Sequence, residues 1–343
     1  MPDPQRALKV AAYTGGRSVP SARFRVRQYI PALKALGIEV RESWAKLGSY
    51  PPASKALRPL WGMAAICERV VSAGGSFSSD VTLLQREMLS TFVTAEPFTK
   101  PPRALDVDDA IWLYGDGSFA RRLAGLSELV ICGNDFLAEQ FRHWNSNIHI
   151  LPTAVDTVRY RPLDSVRTVE HKRIGWCGSG STLRYLEALT PVFKAVLERR
   201  KDVKLRIVAD VRPTLDGISE NQLEFIPWSP EVEVRAIQEM SVGLMPLENT
   251  SWARGKCSFK LLTYMACGVP VVASPVGMNV EVLAAGGGLA ARGHDEWIDA
   301  IHSLLNEEAT AQRICRQGLE TVLRDYSLSA LTPRLAQILR SCS

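Results

Sequence analysis

Residues 252–279 read WARGKCSFKLLTYMACGVPVVASPVGMN, and this stretch decides the fold class. Gly255 gives the chain a flexible approach, and Ser258 stands where a helix N-cap belongs. Phe259 to Cys267 forms an apolar helix. Gly268 stops it and Pro270 follows. Val269–Ala273 then runs straight on as a strand. A helix that hands over directly to an apolar strand is a building unit of an α/β sheet.

The start of this helix also carries chemistry. Its first backbone N–H groups have no partner within the helix, and its dipole is positive at that end, so an anion is favoured there. Arg254, Lys256 and Lys260 add three cations within seven residues. Cations at a helix N-terminus oppose the dipole unless an anion lies among them. The segment therefore suits a diphosphate, with a solvated basic loop as the alternative.

Outward from this segment, strands and helices alternate through the C-terminal half. Arg173–Cys177, Leu205–Ala209, Leu223–Ile226 and Val242–Met245 read as strands. Thr182–Arg199, Glu231–Met240 and Phe259–Cys267 read as helices, and the chain is helical from about Asp295. Gly178-Ser179-Gly180-Ser181 lies between a strand and a helix, where glycine lets the backbone approach a phosphate. A nicotinamide dehydrogenase would use such a loop too. Here, however, Leu183 stands where that fingerprint has its third glycine, and the strand-end Asp210 comes roughly thirty residues on instead of roughly twenty.

The N-terminal half repeats the pattern. Leu8–Tyr13 is a strand followed by Gly15-Gly16. Ser21–Leu36 is a helix that Pro31 should kink or delay. Further strands begin at Ile38 and cover Val81–Leu84, Ala104–Val107, Leu129–Cys132 and Ile148–Leu151. The polar stretch 156–172 lacks apolar periodicity and reads as a linker. The expected organisation is α/β: residues 1–157 as one doubly wound domain, 158–172 as linker, 173–325 as a second such domain, and 326–343 as a closing helix. Two such domains in series place a ligand in the cleft between them.

Composition agrees with a globular protein. Its 343 residues are 46% hydrophobic and 22% charged, more chain than one core usually spans. MPDPQRALKV at the start lacks the apolar core of a signal peptide, and no apolar run approaches the roughly 20 residues of a membrane span. Seven cysteines, an odd number with no CxxC pair, suit a reduced compartment and no zinc site. The net charge of +5 is uneven. Residues 1–60 hold eleven Lys or Arg against three acids, so they carry +8 and the remainder is slightly acidic. That end is either a solvated basic surface or a face for a phosphate-bearing acceptor or an anionic membrane. Without aromatics interleaved among the charges, it does not resemble a nucleic-acid reader.

The chain resembles the retaining GT-B glycosyltransferases of glycosyltransferase family 4, and within them a bacterial branch with an RGKC–K–YMA segment. MACGVPVVAS (265–274) is similar to the family's donor-site helix and strand, and LPTAVD (151–156) with Pro162 to its end-of-first-domain segment. SARFRVRQYIPALKALGIEV (21–40) is similar to its first helix, and Tyr326-Ser327 to the start of its last helix, which returns to the first domain. The resemblance implies two Rossmann-like domains facing a central cleft. It implies a nucleoside-diphosphate sugar on the second domain and an acceptor on the first, with retention of configuration and neither metal nor cofactor.

The resemblance also assigns residues. Family members carry a Glu, seven residues, then a second Glu across the donor helix; here these positions are Gly255 and Thr263, expected beside the sugar and ribose. The family's Arg and Lys after the second-domain glycine are replaced by Ser179 and Tyr185. Arg254, Lys256 and Lys260, with Ser179 and Gly180, are then expected to hold the diphosphate. Asp106-Val107-Asp108-Asp109 occupies the region where many members place a histidine near the sugar. Asp108 or Asp109 is expected to contact donor sugar or acceptor hydroxyls, with helix capping and a metal-binding DxD as the other readings. On the acceptor side, Gly15, Gly16, Arg23, Arg25 and Arg27 would meet a phosphate or carboxylate, Arg23 and Arg27 sharing a helix face, unless they are ordinary surface arginines. Trp228 would contact the base or pack in the core.

The sequence therefore points to a cytoplasmic glycosyltransferase, with peripheral contact at the inner membrane face left open. Its acceptor would be a polysaccharide, a lipid-linked sugar or a small molecule. A non-catalytic nucleotide-sugar-binding protein on the same fold is the alternative, because the Glu pair is missing.

Overall fold

Short runs of aliphatic residues set the first sheet: β1 (Leu8–Thr14), β2 (Ile38–Trp44), β3 (Val81–Gln85), β4 (Arg103–Val107), β5 (Leu129–Cys132) and β6 (Ile148–Ile150). The computed structural model describes residues 6–163 and 172–343. Among these residues the order is β2-β1-β3-β4-β5-β6, with every pairing parallel. β3, β4 and β5 are buried at every position, as strands covered on both faces must be. β2, at the edge, alternates. The accompanying helices are α1 (Ile30–Ala35), α2 (Arg58–Ala73), α3 (Ser118–Gly125) and α4 (Asp135–Arg142).

The second sheet comprises β7 (Lys172–Cys177), β8 (Val203–Ala209), β9 (Leu223–Pro227), β10 (Val242–Met245), β11 (Val271–Ala273) and β12 (Gly288–Ala290). Its order is β12-β11-β10-β7-β8-β9, again all parallel. Its helices are α5 (Leu183–Glu187), α6 (Thr190–Arg199), α7 (Pro230–Gln238), α8 (Ser251–Arg254), α9 (Phe259–Ala266), α10 (Asn279–Ala284), α11 (His294–Asn306) and α12 (Glu308–Thr321). The last helix, α13 (Leu328–Cys342), packs Leu331, Leu335 and Leu339 into the same core as Val10, Ala12 and Leu33.

The chain divides into two compact units. One comprises residues 1–154, 255–257 and 328–343; the other comprises 155–254 and 258–327. Each has its own core. Tyr29, Leu83 and Ile131 lie in the first; Trp176, Phe193 and Trp297 lie in the second. Each sheet also has one point where the chain turns both ways, between β1 and β3 and between β7 and β10. At such a point the loops after the strands diverge and leave room for a ligand.

Proline chemistry explains where the elements depart from expectation. The helix expected over 21–36 is a π-turn (Ala22–Val26), a 3₁₀ turn (Arg27–Tyr29) and then α1, with Pro31 in its first turn. Proline has no N–H to give to the preceding turn, so the α-helix restarts there. The helix expected over 182–199 breaks into α5 and α6 for the same reason, with Pro191 in the first turn of α6. β11 begins at Val271 instead of Val269, because Gly268 and Val269 are spent on ending α9. Gly268, at φ +70°, donates to the Met265 carbonyl (3.0 Å), and Val269 donates to that of Tyr264 (2.9 Å). This is a Schellman cap, and its left-handed residue favours glycine. Of the expected linker, residues 164–171 lie outside the described residues, and so does His171.

Candidate functional site

In the second unit, β7 ends in the loop Gly178–Thr182, whose last three residues form a 3₁₀ turn. Lys260, in the first turn of α9, donates from Nζ to the Thr182 hydroxyl (3.1 Å) and lies 4.3 Å from the centroid of the Trp176 ring. A Cβ at Gly178 would stand 2.4 Å from that Nζ and 2.3 Å from the Trp176 ring. Glycine at 178 is therefore what lets the ammonium rest on the loop. The Asp210 carboxylate, after β8, accepts the Gly180 N–H (2.6 Å) and fixes the loop's shape. Ser179 and Ser181 share a hydrogen bond (2.9 Å) on the exposed rim. Hydroxyls, a glycine backbone and an ammonium thus converge where the chain turns both ways, a donor set suited to phosphate oxygens.

The other residues expected here have their own surroundings. Arg254 is exposed and donates to Asn249 (2.8 Å). Thr263 is buried, and its hydroxyl donates to the Lys260 carbonyl (2.8 Å), so it presents no polar group outward. Trp228 is 38% exposed just after β9, so it is not a core residue. Ser258 stands before α9 at φ 51°, but its side chain does not cap the helix. It pairs with Asn279 (2.7 Å), which in turn donates to the Ser274 carbonyl (2.9 Å).

In the first unit, a second cluster gathers at the ends of β3, β4 and β5. Lys256 lies here, 3.6 Å from the Asp109 carboxylate, and its carbonyl accepts from Asn134 (3.1 Å), the residue that caps α4. The three cations of residues 254–260 therefore have separate partners: Asn249 for Arg254, Asp109 for Lys256 and Thr182 for Lys260. Cys257 donates its thiol to the Asp108 carbonyl (3.2 Å). A Cβ at Gly255 would come within 2.8 Å of the Ala110 Cβ and 2.9 Å of its backbone nitrogen. The backbone contact leaves no room for a glutamate at 255.

Asp109 also pairs with Arg86 (3.2 Å), which lies 3.7 Å from Glu87. Arg86 adopts φ 62°, strained for a side chain of its size. Among the described residues its buried Nη2 has no hydrogen-bond partner, and neither does Glu87 Oε2. Burial raises the Glu87 carboxyl. Burial, and next the Asp109 charge, raise Asp108 to about 7. Asp108 accepts a long bond from Gln85 (3.4 Å). The cluster thus holds a carboxyl poised near neutrality and a guanidinium with donor capacity to spare, as a proton-transfer or hydroxyl-binding site would.

The arginines expected on the acceptor side have different partners. Arg25 is in the core, ion-paired to Asp106 (2.6 Å) and donating to the Leu151 carbonyl (2.7 Å). Arg27 clasps Glu42 through two bonds (2.8 and 2.6 Å), and Arg23 stacks over Phe24 at 4.7 Å. The segment is a π-turn followed by a 3₁₀ turn, and the Arg27 N–H donates to the carbonyls of both Ala22 and Arg23. Gly15 and Gly16 follow β1 as expected, and the Gly15 carbonyl accepts from Ser49 (2.8 Å).

Sequence reasoning passed over Arg86, Glu87, Asn134 and Trp176, and weighed Asp210 only against a dinucleotide fingerprint. Four of these stand at or just past the carboxyl end of a strand, a place the strand pattern alone marks for ligands.

Two parallel six-stranded units with flanking helices, each with loops gathered at its strand ends, constitute the GT-B fold of solved glycosyltransferases. More narrowly, residues 171–307 match the family described as Glycosyl transferases group 1. Sucrose-phosphate synthase from Thermosynechococcus elongatus is similar at TM-score 0.70 and 15% identity, over 97% of this chain and 98% of that one. Anabaena Alr3699/HepE, solved in complex with UDP and glucose, is similar at TM-score 0.71 and 13% identity, over 97% and 100%. WaaG, a glycosyltransferase involved in lipopolysaccharide biosynthesis, is similar at 0.68 and 12%, over 97% and 99%. No curated protein sequence matches the chain.

Proposed function

We propose that the protein is a glycosyltransferase of family 4, in the branch with an RGKC–K–YMA segment, that moves a sugar from a nucleoside-diphosphate sugar to an acceptor with retention and without a metal. One observation carries this reading: the Lys260 ammonium rests on the Gly178–Thr182 loop inside the segment that matches the Glycosyl transferases group 1 family. UDP and glucose in the HepE structure support a nucleotide-sugar donor.

In this reading residues 173–325 hold the donor and residues 1–157 the acceptor. Lys260, Ser179 and Gly180, with Arg254, take the diphosphate, and Trp228 meets the base. Stabilising the departing diphosphate supplies most of the rate enhancement. Asp108, raised towards neutrality, accepts a proton from the acceptor hydroxyl while Asp109, tied to Arg86 and Lys256, orients it. The acceptor is a polysaccharide or lipid-linked sugar of the cell envelope, or a small molecule. Seven free thiols suit the cytoplasm.

A second reading, a non-catalytic nucleotide-sugar-binding protein, is favoured by Gly255 packed against Ala110 and Thr263 turned inward. The two separate on turnover. Purified protein with a panel of nucleoside-diphosphate sugars in EDTA should release nucleoside diphosphate, faster once an acceptor is added. Nucleotide binding without any release would establish the second reading.

A further inference from the structure

Two of the three arginines that a phosphate-bearing acceptor would meet are spent inside the first unit, Arg25 on Asp106 and Arg27 on Glu42. The loops after β2, β3 and β4 gather a different set of groups, and they are braced to hold it. The Ser49 hydroxyl lies 2.8 Å from the Gly15 carbonyl and 3.2 Å from that of Met88, and the Ser49 carbonyl accepts the Ser90 N–H (2.9 Å). The buried Glu96 carboxylate accepts the N–H groups of Met88 (2.7 Å) and Thr94 (2.6 Å). Arg86 and Glu87 are thereby fixed at the end of β3. Tyr50, next to Ser49, is 55% exposed, and Tyr114, after the short turn that follows Asp109, is 39% exposed. Burial raises both hydroxyls, and the charges of Arg86, Glu87 and Asp109 act on both, so the two rings stand beside these groups.

Glu87 is 5% exposed. Among the described residues its Oε2 is a buried acceptor without a donor, and Arg86 Nη2 is a buried donor without an acceptor. The two side chains are neighbours, with Nη2 3.7 Å from Glu87 Oε1. Leaving both atoms unmatched is costly. One sugar hydroxyl would satisfy both, since it donates and accepts at once. A phosphate or carboxylate has only acceptors to offer at neutral pH. It would also add negative charge beside three carboxyls, Glu87, Asp108 and Asp109, that face two cations, Arg86 and Lys256.

We propose that Arg86 and Glu87 form an acceptor subsite that selects an uncharged pyranose over sugars carrying phosphate or carboxylate. An acceptor hydroxyl bridges Glu87 Oε2 and Arg86 Nη2 once the exposed Tyr50 ring turns aside, and that ring then covers the apolar C–H face of the sugar. Glu87 is the residue that sets the charge preference. The inference rests on the transferase reading, in which the first unit takes the acceptor.

The test is a saturation-transfer NMR titration of the full chain with methyl glucoside, methyl mannoside and methyl galactoside, each set against its uronic acid and 6-phosphate counterparts. Binding is scored without turnover. Nucleotide release from a nucleoside-diphosphate sugar in the same mixtures scores the transferase reading separately. Wild type should bind a neutral glycoside about tenfold more tightly than its charged counterparts. E87Q should weaken that glycoside about tenfold and shrink the preference, because one carboxyl no longer repels the anion. A merely structural Glu87 would weaken every sugar alike. Y50A, which changes an exposed ring, should keep the wild-type melting temperature and lose about fivefold in affinity. The proposal is overturned, whatever the release assay shows, if no glycoside binds or if charged sugars bind as tightly as neutral ones. An unchanged preference in E87Q, or undiminished binding by Y50A, overturns it as well.

Discussion

The Lys260 ammonium is held between the Trp176 ring, 4.3 Å from its centroid, and the Thr182 hydroxyl, 3.1 Å away. The aromatic face and the hydroxyl fix a flexible side chain over a glycine loop before any ligand arrives, which reduces what a ligand must order on binding.

Gly178→Ala tests that arrangement from the loop side. The new methyl would meet the buried Trp176 ring at 2.3 Å and the ammonium at 2.4 Å, and the ring cannot yield as the lysine can. Stability should fall by about 1–3 kcal/mol, read in urea unfolding. Nucleotide affinity should fall as well, because the lysine is displaced from the loop.

Lys256 and Asp109 should act together and apart from the donor site. Their pair is 3.6 Å long and partly exposed on both sides. A double-mutant cycle with K256A and D109N should therefore give a coupling of only about 0.2–1 kcal/mol in stability. In kinetics both variants should lower kcat and leave nucleoside-diphosphate affinity within about twofold. A large loss of nucleotide affinity in K256A would return Lys256 to the phosphate clamp.

Asp108 should make stability depend on pH. Its carboxyl is raised to about 7 in the folded protein, against about 3.9 when unfolded. Between these values the folded state binds more protons, so stability falls as pH rises from about 4 to about 7. D108N should flatten that slope in unfolding curves measured across this range and should be more stable than wild type at neutral pH.

Gly255→Glu would install the residue that the resemblance leads one to expect and should nonetheless be destabilising. Any side chain there meets the Ala110 backbone nitrogen at 2.9 Å, and backbone cannot step aside. A loss of about 3 kcal/mol or more is expected, seen as a lowered melting temperature.

The elements that could be read from the sequence are those whose causes are local. Gly268 and Pro270 mark the end of α9 because a left-handed cap and a missing N–H act within a few residues, and the apolar runs of β3 to β5 report burial on both faces directly. Lys260 was legible as a cation after a glycine loop, since charge and loop chemistry show in the letters. Arg25 was not. Its partner Asp106 is 81 residues away, and only the packing of the turn after β1 beneath β4 turns a surface-like arginine into a core ion pair. Lys256 misled for a similar reason: its neighbours in sequence are basic, but the acid that holds it lies on the loop after β4. The strain at Arg86 leaves no mark in composition, because a left-handed arginine is imposed by its surroundings.

The most direct test of the account is the melting temperature of wild-type protein and K260A with UDP, GDP, ADP, TDP and CMP, with and without magnesium. Wild type should be stabilised by one nucleoside diphosphate, equally in the presence and absence of magnesium. K260A should fold normally yet lose most of that shift, since a charge-assisted bond worth about 1.5–3 kcal/mol is removed. An unchanged shift in K260A, or no shift in wild type with any nucleotide, would contradict the assignment of this loop and lysine as the diphosphate site.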